Sequence, residues 1–396
     1  MLSFRNKGAF DLCAGPVFAL VLFASPAALS AEWSPEIKLS NNETNATTNE
    51  NMGQCLAVNG KTLHVVWCDH TKNDSAVYYR HSNDGGVTWG AETRLSENPG
   101  TADFASLAVS GSAVHIAFRD KRTGQYGTYY KRSLDGGNNW DADAFLGNTT
   151  FWPSIAAAGP MVYIALNNDI GKNTEVYCAR SVNSGTSWDP VQRISNAPGR
   201  SEDPAIAAAG DCVQMTWNDN RTGIMQTFYR RSADKGVTWD AETQLSNSTV
   251  FAYMTMLYLS DSNVDVVWGD RRNHGPAGNF DIYHLRSSDL GLTWGKEERL
   301  TEVAVNSFYP VIGRDGKNVH VVWAGGGLFY LHSGDGGATW DPAASLINAS
   351  SNPSGAFIAL SGPVLHLIWT DRRDGHSALY YKSNPMANSG EKARNQ

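Results

Sequence analysis

The chain has 396 residues, with 32 basic and 39 acidic side chains and a formal net charge of −7. Because phosphate contacts from basic side chains dominate nucleic-acid binding, this acidic balance argues against a nucleic-acid partner. The length would ordinarily suggest two domains, but repeats of one kind fill nearly all of it, so we expect one large domain.

The first thirty residues have the layout of a secretory signal peptide. Arg5 and Lys7 precede an apolar run over residues 16–24, and small residues lead up to Ala31. The apolar run is far shorter than the roughly 20 residues that span a bilayer, so a membrane anchor fits less well. We expect cleavage after Ser30, no membrane span, and a secreted or periplasmic product.

The mature chain keeps four cysteines, Cys55, Cys68, Cys178 and Cys212. An oxidising compartment permits disulfides. The strand pattern places the first two out of register on neighbouring strands and the others in different repeats, so buried free thiols are favoured.

Two periodic signals organise the chain after residue 30. The octapeptide Ser-x-Asp-x-Gly-x-Thr-Trp recurs about every fifty residues, which indicates stacked units. Complete and near copies together begin at Ser82, Ser133, Ser181, Ser232, Ser287 and Ser333. Between the octapeptides, an apolar run ends in an aromatic residue and usually an acid, as in 63–69 and 114–120. There are seven such runs, one of them degenerate, against six octapeptides.

Each repeat is predicted to form four strands. In the second repeat they are strand A at 104–109, strand B at 114–118, strand C at 127–132 and strand D at 140–146. The last repeat has strands A to C but no fourth strand. The segment 33–40 resembles the D strands at 89–96 and 239–246 and would supply it.

The closure of the last repeat by the first strand predicts an all-β, seven-bladed β-propeller over residues 31–385. Residues 41–50 form a polar linker in this interpretation, and 386–396 form a disordered tail. In the octapeptide we expect the Asp to accept backbone N–H bonds, the Gly to adopt a left-handed conformation and the Trp to wedge between sheets. Repetition in nearly every blade makes this motif structural.

The octapeptide resembles the Asp-box, or bacterial neuraminidase repeat (BNR), of the sialidase superfamily, and the resemblance covers residues 33–385. It implies a β-propeller, with the six-bladed sialidase propeller as the alternative. Asp-boxes also occur in other propellers, among them glucan-processing enzymes, assembly factors and sorting receptors, so the resemblance does not imply one activity.

In a propeller, the loops from B to C and from D to A lie on one face. The B-to-C loops repeat an acid and an arginine, and Arg221, Arg271 and Arg372 are candidates to grip a carboxylate or sulfate by forked hydrogen bonds. In the alternative, each arginine pins its own loop, and repetition favours this. His70 and His274 in the same loops are candidate bases or ligands, but no metal-ligand spacing supports a metal, and no cofactor is expected.

The starts of the inner strands line the mouth of the central channel, and there the blades differ. Trp152 and Tyr253 are candidate stacking surfaces for sugar rings, with Asp103, Glu202 and Tyr309 close to the same rim. Aromatic faces with a few carboxylates suit a sugar-binding mouth. The alternative is that these side chains plug the channel.

The resemblance to sialidases implies a Tyr nucleophile activated by Glu, an Asp acid/base, an arginine triad and an Arg-Ile-Pro motif on the first inner strand. By that analogy Tyr309 is the nucleophile, Glu202 its base and Asp103 the acid. The corresponding inner strand reads Asn51-Met52-Gly53, without the arginine or the proline, which puts exo-α-sialidase activity in doubt.

The leading hypothesis is therefore an exported, monomeric propeller that binds a glycan or a protein partner through the B-to-C loop face. A sialidase-like glycoside hydrolase and a uronate polysaccharide lyase are the enzymatic alternatives. A lyase would use His70, His274, Tyr253 or Tyr309 as a base and an arginine to neutralise the uronate. A scaffold in an envelope protein complex is the third possibility.

Overall fold

A computed structural model of the protein describes residues 33–40, 45–48, 53–71, 74–97, 100–149, 152–170, 173–302, 306–347 and 352–385. The predicted signal peptide (1–30) and tail (386–396) lie outside these ranges, as do Asn51 and Met52. Within the described ranges the regular structure consists of strands alone, and no helix suited to crossing a membrane is present among them.

Seven antiparallel sheets form the blades of a propeller. The innermost strands, A, contact one another in a closed ring in which the first touches both the second and the last. This confirms the predicted seven blades and shows that the six-bladed alternative is wrong. The A strands are β3 (Leu56–Asn59), β7 (Asp103–Ser110), β11 (Ser154–Ala158), β15 (Ser201–Ala209), β19 (Ala252–Ser260), β23 (Phe308–Asp315) and β27 (Ser354–Ser361).

The B strand is the most buried strand of each blade, because it pairs with a strand on each side and packs against neighbouring blades on both faces. The B strands are β4 (Thr62–His70), β8 (Ala113–Asp120), β12 (Met161–Ile170), β16 (Cys212–Asp219), β20 (Asn263–Asp270), β24 (Asn318–Ala324) and β28 (Val364–Asp371). The C strands are β5 (Ser75–Ser82), β9 (Gly127–Ser133), β13 (Asn173–Ser181), β17 (Gln226–Ser232), β21 (Asp281–Ser287), β25 (Leu328–Ser333) and β29 (Ala378–Pro385).

The outer strands, D, are shorter than the sequence pattern predicted. They are β1 (Ile37–Lys38), β6 (Thr93–Arg94), β10 (Ala144–Asn148), β14 (Gln192–Arg193), β18 (Thr243–Gln244), β22 (Glu298–Arg299) and β26 (Ala344–Ile347). In the second blade the strand begins at Ala144 rather than Trp140. The Trp140 indole stays in the preceding turn because it donates a hydrogen bond to the Gly137 carbonyl at 3.1 Å.

The first strand completes the last blade, as predicted. β1 pairs antiparallel with β29 and places Ile37 opposite Tyr381. The predicted linker at 41–50 is partly wrong, because β2 (Asn45–Thr47) is a strand that pairs with β4. β3 pairs with the other half of β4, so two short strands form the inner edge of the first blade.

The octapeptide turns form the hydrogen bonds that the sequence predicted. In the first, Asp84 Oδ1 accepts the Thr88 N–H at 2.9 Å, Asp84 Oδ2 accepts the Thr88 hydroxyl at 2.5 Å, and Ser82 Oγ accepts the Gly86 N–H at 2.8 Å. These donors lower the pKa of Asp84 to about 2, with the Thr88 hydroxyl as the largest cause. The turns lie beside the A-to-B turns, since the Gly85 N–H bonds the Lys61 carbonyl. We call this side the Asp-box face.

Each Asp-box is also a contact with the preceding blade. The Trp89 ring packs edge-on against Tyr381 of the last blade at 5.1 Å, and Trp140 packs against Tyr79 at 4.8 Å. A Cβ on Gly137 would lie 2.0 Å from the Tyr79 hydroxyl oxygen. The glycine is therefore required by the close approach of the tyrosine as well as by its φ of 91°.

The tyrosine that contacts the Asp-box also forms a hydrogen bond with a side chain of strand B. In three blades its hydroxyl lies 2.6 to 2.8 Å from a buried histidine Nδ1; the pairs are His64–Tyr79, His115–Tyr130 and His366–Tyr381. An equivalent pair, His320–Tyr330 at 2.8 Å, lies beside Trp33. The fourth blade uses Gln214 with Tyr229 at 3.0 Å. These contacts give the histidines an architectural role. Burial lowers the pKa of His115 to about 4, which keeps its ring neutral.

The interior is aromatic and contains reduced thiols. Five blades bury a tryptophan at the end of strand B, and the second blade uses Phe118. Cys55, Cys68 and Cys178 are buried as predicted, Cys212 is half-buried, and all four are reduced thiols. Burial raises the pKa of the Cys178 thiol to about 12, so it is inert packing material.

Candidate functional site

The rim of the channel opposite the Asp-box face, which we call the mouth, is built by a repeated β-bulge. In five blades the pairing of strands A and B shifts register over the first residues of strand A. The second residue of each bulge has a left-handed φ between 50° and 60°; these residues are Phe104, Asp203, Met254, Tyr309 and Gly355. Bulges of this kind re-aim side chains beside functional sites, and here they act on the positions that differ between blades.

An acidic cluster occupies the mouth between the fourth and fifth blades. Glu202 and Asp203 are 4% and 1% exposed, and Glu202 forms an ion pair with Arg200. Asn218 donates a hydrogen bond to Asp203 Oδ2 at 3.3 Å. The Tyr253 hydroxyl faces the same Asp203 carboxyl from the next blade. We call these five residues the Tyr253 cluster.

Burial dominates the electrostatics of the Tyr253 cluster. It raises the pKa of Asp203 to about 7, against the opposing effect of the Tyr253 hydroxyl. Burial also raises the pKa of Glu202, although the Arg200 guanidinium opposes the rise. Burial and the Asp203 charge raise the pKa of Tyr253. At neutral pH the cluster therefore holds a protonated phenol beside a carboxyl that gains or loses its proton near pH 7, which is an arrangement suited to donating protons.

Asp103 lies in the second blade and is paired with an arginine that the sequence analysis did not single out. Arg119 donates two parallel hydrogen bonds to its carboxylate, at 2.8 and 2.7 Å. Burial raises the pKa of Asp103 despite this pair. Arg119 therefore supplies a fixed positive charge beside the Asp103 carboxylate. The role of Asp103 as an acid stays a prediction.

His70 lies near Asp103, in the first blade, with hydroxyls at both ring nitrogens. Ser75 Oγ is 2.6 Å from Nδ1, and Thr47 Oγ1 is 3.0 Å from Nε2. Burial lowers the pKa of His70, and the negative charges of Asp103 and Asp69 only partly oppose this. A neutral ring at pH 7 is the state that a general base needs.

Tyr309 lies on an apolar part of the mouth. Its ring meets Phe308 edge-on at 5.3 Å, and its backbone nitrogen lies 3.4 Å from Met254 Sδ. It also lines a small apolar cavity together with Phe357. The described contacts place Tyr253 beside Asp203, and the pairing of Tyr309 with Glu202 stays a prediction. A nucleophilic role for Tyr309 stays a prediction.

The three candidate clamp arginines do not occupy equivalent positions. Arg221 belongs to a repeated latch in which an arginine pairs with the acid two residues earlier and with a second acid, and stacks 4.2 to 4.5 Å from an aromatic ring of strand C. The four latch arginines are Arg122, Arg221, Arg272 and Arg373. Arg221 is thus committed to Asp219 and Glu242, as the loop-pinning alternative predicted.

Arg271, Arg372 and His274 lie away from that latch. Arg271 donates to the Pro276 carbonyl at 2.9 Å and stacks over Phe280 at 4.2 Å. Arg372 is exposed and donates to Ser377 Oγ at 3.0 Å. His274 Nε2 lies 3.1 Å from Asp281 Oδ2. Binding roles for these three residues stay predictions.

Trp152 is half-buried and lies 4.9 Å from the Phe104 ring. Its neighbour in the sequence, Phe151, is outside the described residues. The position of Trp152 agrees with a stacking surface, and sugar binding by it stays a prediction. Among the described residues, no group of three or more His, Cys, Asp or Glu side chains could hold a metal ion.

Asn218 and Arg119 are the mouth residues that sequence reasoning missed. Each pairs directly with the first residue of a bulge, Asn218 with Glu202 and Arg119 with Asp103. Both precede the repeated acid of the B-to-C loop by one residue. Since that acid repeats and the residue before it varies between blades, this variation was the sequence signal that could have identified them.

Comparison of the sequence with known families gives a match to the BNR repeat-like domain over residues 20–216. The six Asp-box turns and the closed ring of seven blades agree with this match. The chain is therefore a seven-bladed propeller that carries a BNR repeat-like domain over residues 20–216. No curated protein sequence matches it.

Several solved structures have the same fold. The polysaccharide lyase Uly1 matches with a TM-score of 0.62 and 10% identity, over 89% of this chain and 100% of that one. A PL25 ulvan lyase bound to -[GlcA(1-4)Rha3S]- matches with a TM-score of 0.58 and 10% identity, over 87% and 95% of the two chains. An α-L-arabinofuranosidase mutant of Fusarium graminearum matches with a TM-score of 0.51 and 13% identity, over 72% and 92%. At these identities the likeness establishes the fold.

Proposed function

We propose that this BNR-repeat propeller binds an acidic polysaccharide at the mouth and cleaves it, with Tyr253 as the general acid. The observation that carries the proposal is the Tyr253 cluster, in which a protonated phenol faces a carboxyl whose pKa is about 7. Perturbed titratable groups in a concave site are a physical signature of catalysis. A polymer substrate also agrees with the predicted export of the chain.

The cluster can supply a proton to a departing sugar. Tyr253 is half-buried, so its ring is accessible from the channel, whereas Asp203 lies behind it and is 1% exposed. When Tyr253 protonates the glycosidic oxygen, the protonated form of Asp203 can return a proton to the phenolate. Such proton transfer contributes typically 10²- to 10⁴-fold to a rate.

Elimination at a uronate fits the site better than hydrolysis does. Hydrolysis by two carboxyl groups needs one of them ionised and accessible, but burial raises the pKa of both Glu202 and Asp203. Elimination needs a cation at the uronate carboxylate, and the side chain of Arg200 is 49% exposed at the edge of the cluster. The likeness to two polysaccharide lyases supports the same choice.

Elimination also needs a base that removes the proton next to the carboxylate. Of the predicted bases, His70 has the required neutral ring, since burial lowers its pKa. His70 lies in the first blade beside Asp103, however, and not at the Tyr253 cluster. In this scheme a base takes the C5 proton, the C4–O bond breaks, Tyr253 protonates the leaving oxygen, and a C4–C5 double bond remains.

The test is to incubate the purified protein with uronate-containing polysaccharides and to follow both the absorbance of unsaturated uronates and new reducing ends. We expect both signals with the wild type and at least about a 100-fold loss in Tyr253→Phe. Tyr177→Phe is the matched control, because it removes the hydroxyl of a half-buried tyrosine in a C strand. New reducing ends without the absorbance of unsaturated uronates would show that the reaction is hydrolysis and not elimination.

Binding without cleavage is the second candidate function. The half-buried aromatic rings at the mouth, among them Trp152, Phe308 and Tyr309, favour it, because they offer stacking surfaces without any requirement for catalysis. Retardation of the wild type in polysaccharide-containing gels, combined with the absence of both product signals, would support this function against the enzymatic one.

A further inference from the structure

A row of stacked side chains lies beside the mouth in the second and third blades, away from the Tyr253 cluster. The Arg119 guanidinium lies between two rings, 4.0 Å from the Tyr126 centroid and 4.7 Å from the Phe104 centroid. The Phe104 ring continues to Trp152 at 4.9 Å. We call this arrangement the Tyr126 row. It joins a B-to-C loop to the inner strand of the next blade.

The row is held rigid by charge pairing. Arg119 is bound to Asp103 through two parallel hydrogen bonds, and the two side chains are 13% and 17% exposed. A bidentate pair fixes the plane of the guanidinium as well as its position. The rings stacked on this plane are therefore fixed in orientation before any ligand arrives, which lowers the entropic cost of binding.

Phe104 reaches the row through a costly backbone conformation. Its φ of 50° is unusual for a bulky side chain, and such strain costs on the order of 1–3 kcal/mol. The bulge that produces this φ turns the ring toward Arg119 and Trp152. Strain of this kind persists where the surrounding structure requires it, and here it completes the stack.

The exposed end of the row is aromatic and basic. Tyr126 is 37% exposed, and the Lys121 ammonium lies 5.4 Å from its ring centroid in the same loop. Lys121 is exposed, whereas the charge of Arg119 is balanced by Asp103. A ring face beside an ammonium group suits a sugar that carries an anionic substituent, since the pyranose stacks and the anion meets the cation.

We propose that the Tyr126 row is a second subsite that binds an anionic sugar ring of the same polysaccharide chain. The inference rests on the proposed function and adds where the polymer lies beyond the Tyr253 cluster. Tyr126 provides the stacking face, Lys121 meets a sulfate or a carboxylate, and Asp103 accepts hydrogen bonds from sugar hydroxyls.

The test measures the dissociation constant by affinity electrophoresis in gels that contain a sulfated polysaccharide, its desulfated form or an unsulfated polyuronate. We expect Tyr126→Ala to bind about 3- to 10-fold more weakly, as the loss of one stacked ring implies. Tyr126→Phe keeps the ring and should bind like the wild type. Phe145→Ala is the control, because it removes a ring that is 53% exposed at the outer edge of the same blade.

Lys121→Ala identifies the anion. A loss of affinity confined to the sulfated polymer assigns a sulfate to the row, and a loss that persists with the polyuronate assigns a carboxylate. If Lys121→Ala leaves the affinity for all three polymers unchanged, the anionic part of the proposal is wrong. Affinity for Tyr126→Ala equal to that of the wild type would overturn the subsite itself.

The two proposals fail in different ways. If the wild type binds a polysaccharide and Tyr253→Phe abolishes cleavage while Tyr126→Ala binds normally, the subsite is wrong and the proposed function stands. If Tyr126→Ala weakens binding but no polymer is cleaved, the subsite stands and the catalytic role of Tyr253 is wrong. If the wild type binds none of the three polymers, both proposals are wrong.

Discussion

The Asp-box face repeats one set of contacts from blade to blade, whereas the mouth presents a different residue in nearly every blade. On the Asp-box face, a tyrosine meets the turn of the next blade, as Tyr79 meets Trp140 and Tyr381 meets Trp89. At the mouth, the first bulge residue is Asp103 in one blade and Tyr253 in another. The difference separates the residues that close the ring from those available for chemistry.

The same bulge serves both purposes at the mouth. Its backbone conformation repeats, because strand A must bend at the rim of the channel, but its side chains are free to vary. Repetition therefore indicates architecture and variation indicates a site. Variants on the two faces should accordingly fail in different assays, the first set in stability and the second in activity.

The largest effect is expected at an Asp-box glycine. Gly137→Ala would place a Cβ 2.0 Å from the Tyr79 hydroxyl at a φ of 91°, whereas the neighbouring Gly136→Ala at φ 76° meets nothing within 4 Å. Strain plus overpacking should cost Gly137→Ala about 2–5 kcal/mol of unfolding free energy, against about 1–2 kcal/mol for Gly136→Ala. Denaturant unfolding of both variants measures this. Equal losses would show that the contact between blades contributes nothing.

At the mouth, Asp203→Asn should change the pH dependence of stability. The pKa of Asp203 is raised from 3.8 to about 7, so the folded protein binds a proton more tightly than the unfolded chain, and stability falls as pH rises through this window. The variant should lose that fall, gaining at most about 4 kcal/mol above pH 7. It should also lose activity.

Thermal unfolding between pH 4 and 8 measures the effect, with the exposed Asp211→Asn as the control. A wild type whose stability follows the same pH profile as Asp203→Asn would contradict the raised pKa.

Two arginines of the mouth side should separate structure from function. Arg221→Ala leaves the buried Asp219 without its main partner and should cost about 3 kcal/mol of stability. Arg200→Ala also removes the partner of a buried carboxyl, Glu202, but burial already raises the pKa of Glu202 and lets it take up a proton. Its stability cost should therefore be smaller than that of Arg221→Ala, whereas cleavage of a uronate polymer should weaken. Unfolding and activity measurements on both variants test this. If Arg221→Ala lost activity but little stability while Arg200→Ala lost stability but little activity, the site would lie at the latch instead.

The smallest effect is expected from a histidine behind the Asp-box tyrosines. His115 has a pKa lowered to about 4, so it contributes stability above pH 6.5 that is lost as pH falls toward 4. His115→Gln copies the natural Gln214–Tyr229 pair and should remove at most about 3 kcal/mol of this acid sensitivity. Unfolding at pH 4.5 and 7.5 measures it, with His332→Gln as the control. An unchanged pH profile would contradict it.

The fold could be predicted from the sequence because its signals are local and repeated. The Asp-box turn closes within eight residues, and the resemblance of 33–40 to a D strand located the ring closure that β1 and β29 form. The length of the D strands could not be predicted, because the packing of Trp140 against Tyr79 of the preceding blade is a tertiary contact.

The candidate site was harder to predict than the fold, because its contacts join residues that are distant in the sequence. Tyr253, Glu202 and Asp103 were recognised as mouth residues, but their partners depend on a bulge that shifts the register of two strands. A one-residue shift changes which side chains meet. The resemblance to sialidases suggested Tyr309 with Glu202, and the proximity of Tyr253 to Asp203 became visible only in the structure.

The central claim is that ligand binds at the mouth while the Asp-box face only closes the ring. Hydrogen exchange with and without an acidic oligosaccharide, cut from whichever polymer binds most tightly, tests this claim most directly. We predict protection of residues 103–104, 200–203 and 251–255, with no change in the box turns at 82–89 and 133–140. Protection confined to those turns, with the mouth unchanged, would contradict the account.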